Sequence, residues 1–284
     1  MSNSTRNRLD VHPVSGALGA EVHDVDLASV TDGDFEQIHE LLLKYLVLFF
    51  PNQHALTPET HIAFARRFGE PEIHPFIPKL DGHPEIVVLD SKGGFKADVW
   101  HTDNTCEPSP PILSVLQLKL CPPMGGDTMW SNQYLVYESL SQPLRELLDG
   151  LTAIHVIKYP GETSERRTEH PVVRIHPETG RRSLYVNRLY TSHIPQLSPR
   201  ESKMLLEYLF TFAEEPRFAC RYRWAPESVA MWDNRATQHY AVNDYTEQRI
   251  GQRVTILGDN PTGNPPRWDN YQAGGRSAAD YAYR

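Results

Sequence analysis

Cysteine is scarce in this chain of 284 residues, and its few thiols form no recognisable pattern. Cys106, Cys121 and Cys220 make neither a CxxC motif nor an even-numbered framework. This usage argues against a disulfide-stabilised secreted domain and favours a reducing compartment, where thiols are mostly small buried hydrophobic groups. We therefore expect a cytoplasmic protein without structural disulfides.

Long apolar runs are also missing. The longest, at residues 45–50, has the length of a strand, whereas a membrane span needs about 20 apolar residues. The first ten residues are polar and lack the apolar core of a signal peptide. We expect no membrane partner.

Positive charge is not in surplus, since the formal net charge is −8. Affinity for nucleic-acid phosphates depends on an excess of lysine and arginine, so nucleic-acid binding is disfavoured. A small anionic ligand would have to be bound by individual arginines.

The chain shows no internal repeat and no low-complexity linker, which predicts a single domain over residues 1–261. Residues 262–284 mix glycine, proline, serine and aromatics without a period. Such a C-terminal tail is expected either to be unattached or to pack on a partner subunit. A homo-oligomer is the expected assembly.

Helical patterns occur in three places, over residues 32–44, after Thr57-Pro58, and after the capping box that Ser198 and Glu201 form. Short runs of β-branched and aromatic residues predict nine strands, at residues 46–50, 85–89, 113–120, 153–157, 172–176, 183–187, 220–224, 229–232 and 253–257. Many short strands with a few, mostly early, helices predict a mainly β fold with flanking helices, either a barrel or a jelly roll.

His-x-Asp/Glu matches are common by chance in a chain with 13 histidines. His83-Pro84-Glu85 and His176-Pro177-Glu178 contain proline and lie beside glycine, so we interpret both as surface turns. His101-Thr102-Asp103 contains no proline. In an extended segment His101 and Asp103 would point to the same face and bind one ion, although the motif alone is equally compatible with a structural role.

A third ligand is available in His239, which follows a predicted strand and a tight polar turn. Two imidazoles and one carboxylate leave three coordination positions open, which is typical of non-haem Fe(II) oxygenases. A closed zinc site would need a fourth ligand, and the His-Glu-x-x-His motif of zinc proteases is absent.

Arg249 and Arg253 follow His239 by ten and fourteen residues. Their separation is even, so both would point into the barrel if this stretch is the closing strand. A guanidinium binds a carboxylate through two parallel charge-assisted hydrogen bonds, as a keto-acid co-substrate requires. Without the metal motif, such a pair would more often be solvated.

Taken together, these motifs resemble the taurine dioxygenase family of Fe(II)/2-oxoglutarate enzymes. The similarity runs from about Leu9 to Asp259 and is carried by Phe68-Gly69-Glu70, Ile73-His74-Pro75, Trp100-His101-Thr102-Asp103, Gly125-Gly126-Asp127-Thr128, His170-Pro171-Val172-Val173-Arg174, Trp232-Asp233-Asn234-Arg235, Gln238-His239-Tyr240 and the segment from Arg253 to Asp259.

The resemblance implies a double-stranded β-helix, or jelly roll. It implies that the catalytic iron ligands are His101, Asp103 and His239. Arg249 would bind the distal carboxylate of 2-oxoglutarate with help from Thr128. His74 and Arg253 fall on positions that contact the substrate anion, and Tyr190 is a further candidate for the substrate site.

Several departures from taurine dioxygenase bear on the substrate. Ile77 replaces a tyrosine, Lys96-Ala97 replaces an Asp-Asn pair that meets the amine, and the segment of residues 158–170 is much shorter than the corresponding lid. A lysine repels a substrate ammonium. The spacing from His239 to Arg249 is also one residue shorter. We expect an anion without a nearby amine.

The predicted function is therefore an Fe(II)-, 2-oxoglutarate- and O2-dependent dioxygenase that hydroxylates a small organic anion, either a sulfonate, a sulfate ester or a carboxylate. Succinate and CO2 would be its other products. Two alternatives remain: a non-catalytic jelly-roll sensor of 2-oxoglutarate, and a metal-dependent hydrolase or isomerase. Neither would form succinate in an O2-dependent reaction.

Overall fold

The computed structural model describes residues 8–93, 97–159 and 161–272. Within them, sixteen strands and five α-helices confirm a mainly β fold with flanking helices. The strands are β1 (Asp10–Pro13), β2 (Ala20–His23), β3 (Val47–Phe50), β4 (Lys79–Leu80), β5 (His83–Asp90), β6 (Leu113–Leu120), β7 (Thr128–Asn132), β8 (Thr152–Ile157), β9 (Arg166–Pro171), β10 (Val173–Ile175), β11 (Arg182–Leu184), β12 (Thr191–His193), β13 (Ala219–Tyr222), β14 (Val229–Asp233), β15 (Thr237–Ala241) and β16 (Ile250–Ile256). The helices are α1 (Asp32–Tyr45), α2 (Pro58–Arg66), α3 (Gln133–Ser139), α4 (Gln142–Leu148) and α5 (Pro199–Ala213).

Eight strands form the largest sheet, in the order β1-β2-β3-β14-β6-β16-β5-β4. All neighbours in it are antiparallel except β2 and β3. A three-stranded sheet, β13-β7-β15, shares a core with it: Phe49 of the large sheet stacks on Tyr222 at 4.0 Å between ring centroids and meets Trp130 edge-on at 5.3 Å. Two further small sheets are β12-β8-β9 and β10-β11.

The three predicted helices are confirmed, and local hydrogen bonds explain where each begins. The side chains of Thr31, Thr57 and Ser198 each accept a hydrogen bond from the backbone N–H of the third residue of the following helix. The backbone N–H of each cap residue in turn donates to the side chain of that third residue, which completes a capping box. Helices α1 and α2 bury Ile38, Leu42, Ile62 and Phe64 in the core of the large sheet. Among the described residues, every helix is too short or too polar to traverse a lipid bilayer.

Seven strands were not predicted from the sequence: β1, β2, β4, β7, β9, β12 and β15. Most are short or rich in polar residues, so their pairing partners rather than their own composition decide their conformation. The interpretation of His83-Pro84-Glu85 as a turn was wrong, because these residues begin β5. His176 precedes a turn but is only 1% exposed, and its Nε2 lies 3.0 Å from Asp233.

The described part of the C-terminal tail lies on its own chain. Thr262 forms a bridge with Ile175, the Arg267 amide donates to the Gly150 carbonyl at 3.0 Å, and the Tyr271 amide donates to Pro195 at 2.8 Å. These contacts tie residues 262–271 to the β8–β12 region. Residues 273–284 lie outside the described residues.

The buried His61 makes the free energy of unfolding depend on pH. Burial of His61 on α2 lowers its pKa from 6.5 to about 4, and its Nε2 donates to the Val115 carbonyl at 3.1 Å. Between these two pKa values the unfolded chain binds a proton that the folded chain excludes, so stability falls as the pH falls. Relative to pH 7, we expect His61 to reduce the free energy of unfolding at pH 5 by roughly 2 kcal/mol.

Urea unfolding of the wild type and of His61→Gln at the two pH values measures this effect. The loss between pH 7 and pH 5 should be smaller in His61→Gln, whereas His54→Gln, at an exposed position, should behave like the wild type. Equal pH dependence in His61→Gln and the wild type would show that His61 is not responsible.

Candidate active site

His101, Asp103 and His239 converge in the interior, as the sequence predicted. Their ligand atoms all lie within 4.8 Å of one another, and each residue is at most 5% exposed. The Nε2 atoms of His101 and His239 lie 3.9 and 3.8 Å from Asp103 Oδ1. Within the described ranges, no other such group of His, Cys, Asp or Glu side chains was found.

Backbone pairing brings the two histidines together. His101 and His239 form an isolated antiparallel bridge, with N–H···O distances of 3.0 and 2.7 Å, which places their ring centroids 4.1 Å apart. His239 lies on β15 of the three-stranded sheet, whereas His101 lies in the long connection between β5 and β6. The chain turns at Asn104, whose φ of 45° is in the left-handed region that asparagine tolerates.

The hydrogen bonds of His101 fix the tautomer that a metal site needs. Its Nδ1 lies 2.7 Å from the Val99 carbonyl, which only accepts, so Nδ1 carries the proton and Nε2 keeps its lone pair. Burial lowers the pKa of both imidazoles, and the neighbouring His101 lowers that of His239 further. Neutral imidazoles of this kind are metal ligands.

The Asp103 carboxylate is held as an anion by donors on several elements. Burial would raise its pKa, but the Arg253 guanidinium and the two imidazoles outweigh burial and hold the pKa below its usual value. Arg253 Nη1 donates to Oδ1 at 2.8 Å and the Ser114 hydroxyl donates to Oδ2 at 2.8 Å. The Asn234 amide lies 3.4 Å from Oδ2 and is itself oriented by the Trp232 indole N–H at 3.0 Å.

This donor set fits Fe(II). Two neutral nitrogens and one carboxylate oxygen are the donor set typical of non-haem Fe(II) sites, where three protein ligands leave coordination positions for other ligands. The sequence predicted the three residues but missed Ser114, which is a lone hydroxyl in an apolar strand. Asn234 was included only as part of the Trp232-Asp233-Asn234-Arg235 motif, without a role of its own.

Arg249 and Thr128 also meet, and Thr128 lies on β7, which pairs with the strand β15 that carries His239. Arg249 Nε donates to the Gly126 carbonyl at 3.1 Å and Nη2 lies 3.4 Å from Thr128 Oγ1. Both side chains are buried, and burial lowers the pKa of Arg249. Among the described residues no carboxylate pairs with this guanidinium within 4.0 Å. A buried, unpaired guanidinium is stabilised by an anionic ligand.

Glycines allow this end of the site to form. Gly125 and Gly126 have φ of 76° and 71°, and a Cβ on Gly125 would lie 2.6 Å from Asp244 Oδ1. The Gly126 amide donates to that same oxygen at 2.8 Å. The turn therefore needs glycine for both conformation and close approach, and it holds the Gly126 carbonyl against Arg249.

The side chains predicted for the substrate end lie around Arg253. His74 is 3% exposed, and burial, together with Arg253, lowers its pKa to about 4. Its Nδ1 accepts the amides of Phe76 and Ile77 at 3.2 and 3.1 Å, so the neutral ring carries its proton on Nε2 and is a hydrogen-bond donor there. Arg253 Nε is buried and has no partner among the described residues.

Tyr190 is buried near this group, and its pKa is raised well above the ordinary value by burial and by the neighbouring Tyr159. Ile77 is half-buried. Lys96 lies outside the described residues, while the Ala97 carbonyl accepts the Ala241 amide at 2.9 Å.

Aromatic residues that the sequence did not single out pack around His74. Phe76 stacks on Tyr159 at 4.6 Å, and the Tyr159 ring meets His74 edge-on at 6.1 Å. The Tyr159 hydroxyl donates to Asn104, next to Asp103, at 3.3 Å. Arg166 covers both rings, with its guanidinium carbon 5.1 Å from the Phe76 centroid and 5.4 Å from that of Tyr159, and it pairs with Glu107.

Glu72 was also missed by the sequence analysis. It accepts a hydrogen bond from Asn104 at 3.3 Å and lies within electrostatic range of Arg253. Burial raises the pKa of its carboxyl. The site thus contains a carboxylate beside the proposed anion-binding arginine.

Comparison with known proteins agrees with this geometry. Residues 10–255 match the model of the taurine catabolism dioxygenase TauD, TfdA family. An alpha-ketoglutarate-dependent sulfate ester dioxygenase of Pseudomonas putida is 39% identical over 276 residues, covering 90% of this chain and 91% of that protein. An alkylsulfatase of Acinetobacter baylyi is 37% identical, with 90% and 87% covered.

The crystal structure of a taurine dioxygenase from Burkholderia xenovorans superposes with a TM-score of 0.85 at 42% identity, covering 96% of this chain and 98% of that one. Family match, full-length relatives and the His-Asp-His group agree. The chain belongs to the TauD, TfdA family of 2-oxoglutarate-dependent dioxygenases.

Proposed function

We propose that this enzyme oxidises an alkyl sulfate ester or sulfonate with Fe(II), 2-oxoglutarate and O2. The observation that carries the proposal is a buried His101–Asp103–His239 group accompanied by two buried arginines, Arg253 in contact with Asp103 and Arg249 in contact with Thr128. One arginine is needed for each of two anions, the co-substrate and the substrate. The large sheet and the β13-β7-β15 sheet would be the two halves of a double-stranded β-helix, as the family resemblance implies.

When bound, Fe(II) and 2-oxoglutarate supply the activation of O2, with one oxygen atom ending in succinate and the other in the substrate. The side chains of the protein position the metal and the co-substrate. His101, Asp103 and His239 would hold the metal, and Arg249 with Thr128 would bind the distal carboxylate. Burial excludes water and strengthens each of these charged contacts.

At the substrate end, Arg253 would neutralise the anion and His74 would donate a single hydrogen bond from Nε2. His74 contributes no charge near neutral pH because its pKa is about 4. The stacked Phe76 and Tyr159 offer an apolar wall for the carbon chain.

The sulfate ester assignment is supported by the names of the two relatives that are 39% and 37% identical. Hydroxylation of the carbon next to the ester oxygen would give a hydroxy sulfate. Cleavage of its C–O bond then yields an aldehyde and hydrogen sulfate, so the atoms balance without a further co-reactant.

Substrate preference is testable by comparing kcat/KM for an alkyl sulfate, the matching sulfonate, an aryloxy acid and taurine. Succinate formation and the release of sulfate, sulfite or phenol are measured. We expect taurine to be poorer than the best alkyl anion by roughly 10- to 100-fold, because its ammonium would lose water against the Ile77 side chain and the stacked Phe76 and Tyr159 rings.

Taurine as the best substrate would contradict this prediction. Loss of that preference in Glu72→Gln would then assign the ammonium to the Glu72 carboxylate. Tight 2-oxoglutarate binding without succinate formation under any condition would favour the alternative, a non-catalytic sensor. The cytoplasmic location and the homo-oligomer remain proposals from the sequence.

A further inference from the structure

We propose that Trp224 is a positioning residue that turns the Thr128 hydroxyl into a hydrogen-bond donor for the distal carboxylate of 2-oxoglutarate. The inference rests on the proposed function, because it concerns the same co-substrate site. It assigns a role to a tryptophan whose indole N–H donates to Thr128.

The position of Trp224 follows from strand pairing. Thr128 is the first residue of β7 and lies opposite Tyr222, the last residue of β13. Trp224 comes two residues later, and its indole Nε1 lies 2.9 Å from Thr128 Oγ1. Both side chains are buried, Trp224 at 7% and Thr128 at 4% exposure.

The direction of this hydrogen bond is fixed by chemistry. An indole N–H can only donate, and so can the Arg249 guanidinium, whose Nη2 lies 3.4 Å from the same oxygen. A hydroxyl oxygen has two lone pairs, and these two donors engage both. The hydroxyl proton of Thr128 must therefore point to a third group.

A carboxylate suits that third position because it only accepts hydrogen bonds. Arg249 Nε is already engaged by the Gly126 carbonyl at 3.1 Å, and the guanidinium carbon lies 5.7 Å from the centre of the Trp224 ring. An anion bound to the remaining N–H groups of Arg249 would thus lie beside the Thr128 hydroxyl, whose proton already points away from Trp224 and Arg249. Without Trp224, the Thr128 hydroxyl would have to adopt this orientation when the ligand binds.

The same tryptophan also packs in the core, with ring centroids 5.5 Å from Tyr222 and 6.3 Å from Trp130. Packing and positioning can be separated with a matched control. Trp130 belongs to the same aromatic cluster, but its indole nitrogen has no hydrogen-bond partner among the described residues. Trp130→Phe therefore removes the same atoms as Trp224→Phe without removing a hydrogen bond.

The experiment measures the affinity of the Mn(II)-loaded full chain for N-oxalylglycine, an unreactive analogue of 2-oxoglutarate, by titration calorimetry. We expect Trp224→Phe and Thr128→Val each to weaken binding by about tenfold. Trp130→Phe should stay within about twofold of the wild type. Mn(II) affinity, measured without the analogue, should be unchanged in all three variants.

The double variant gives the decisive comparison. If Trp224 acts through Thr128, Trp224→Phe should weaken binding by less than about twofold when Thr128 is already valine. Thr128→Ser should keep both near-wild-type affinity and sensitivity to Trp224→Phe. The proposal would be overturned if Trp224→Phe weakened N-oxalylglycine binding equally in the wild type and in the Thr128→Val background. Unchanged binding in Thr128→Val alone would also overturn it, and this result can be obtained even if Trp224→Phe does not fold.

Failure of the proposed function gives a different result. If the chain does not bind 2-oxoglutarate at all, the wild type itself would not bind N-oxalylglycine, and both proposals would fall. If it binds 2-oxoglutarate but does not oxidise a sulfate ester or sulfonate, N-oxalylglycine still binds and the role of Trp224 stands. Binding by the wild type with no coupling between residues 128 and 224 would overturn only the role of Trp224.

Discussion

Asp103→Ala is expected to reduce Fe(II)-dependent succinate formation by more than about 100-fold. Substitution of groups that merely orient a metal ligand already costs about 10- to 100-fold in affinity or activity. Asp103 supplies the single carboxylate of the group, and the only such group found among the described residues contains no spare acid to replace it. His101→Ala and His239→Ala should have comparable effects. Succinate formation and Fe(II) binding are measured in parallel.

Folding needs its own control, because Asp103 also pairs with Arg253 at 2.8 Å and its removal leaves a buried guanidinium unpaired. Asp103→Asn preserves the size of the side chain and removes only its charge. Asp98→Ala is the matched control, because it makes the same substitution in the preceding loop at a residue that is not a candidate ligand. Thermal unfolding without metal identifies any loss of fold. Wild-type activity in a folded variant of any of the three residues would remove that residue from the metal site.

The second large effect concerns the two arginines. Arg249→Lys is expected to raise the KM for 2-oxoglutarate by about 10- to 100-fold, while Arg253→Lys raises the KM for the prime substrate by a similar factor. A planar guanidinium binds two oxygens at fixed geometry, whereas an ammonium acts as a point charge. Steady-state kinetics with each substrate varied in turn separates the two roles.

The two variants are each other's control, since both replace a buried arginine on or next to β16 with lysine. Arg253 also touches Asp103, so the Fe(II) affinity of Arg253→Lys must be measured to separate substrate binding from metal binding. An exchange of the two KM effects would show that the shortened spacing between His239 and Arg249 has exchanged the roles of the arginines.

Local sequence was sufficient for the elements whose conformation is decided within a few residues. The capping boxes at Thr57 and Ser198 close within one helical turn, so their side chains identify α2 and α5 without tertiary information. By contrast, β7 and β15 carry polar residues at positions that face the site. Their strand conformation depends on pairing with each other and with β13, which no local pattern reveals.

The chemical identity of the candidate metal ligands was likewise determined by the sequence, because His101 and Asp103 stand two residues apart and His239 supplies a second imidazole. Its geometry was not: the pairing of His101 with His239 spans 138 positions and exists only once the chain has folded. The same holds for Ser114, Trp224 and Tyr159. Their roles come from hydrogen bonds and ring contacts between distant elements, and hydrogen-bond direction is set by neighbours in space rather than by neighbours along the chain.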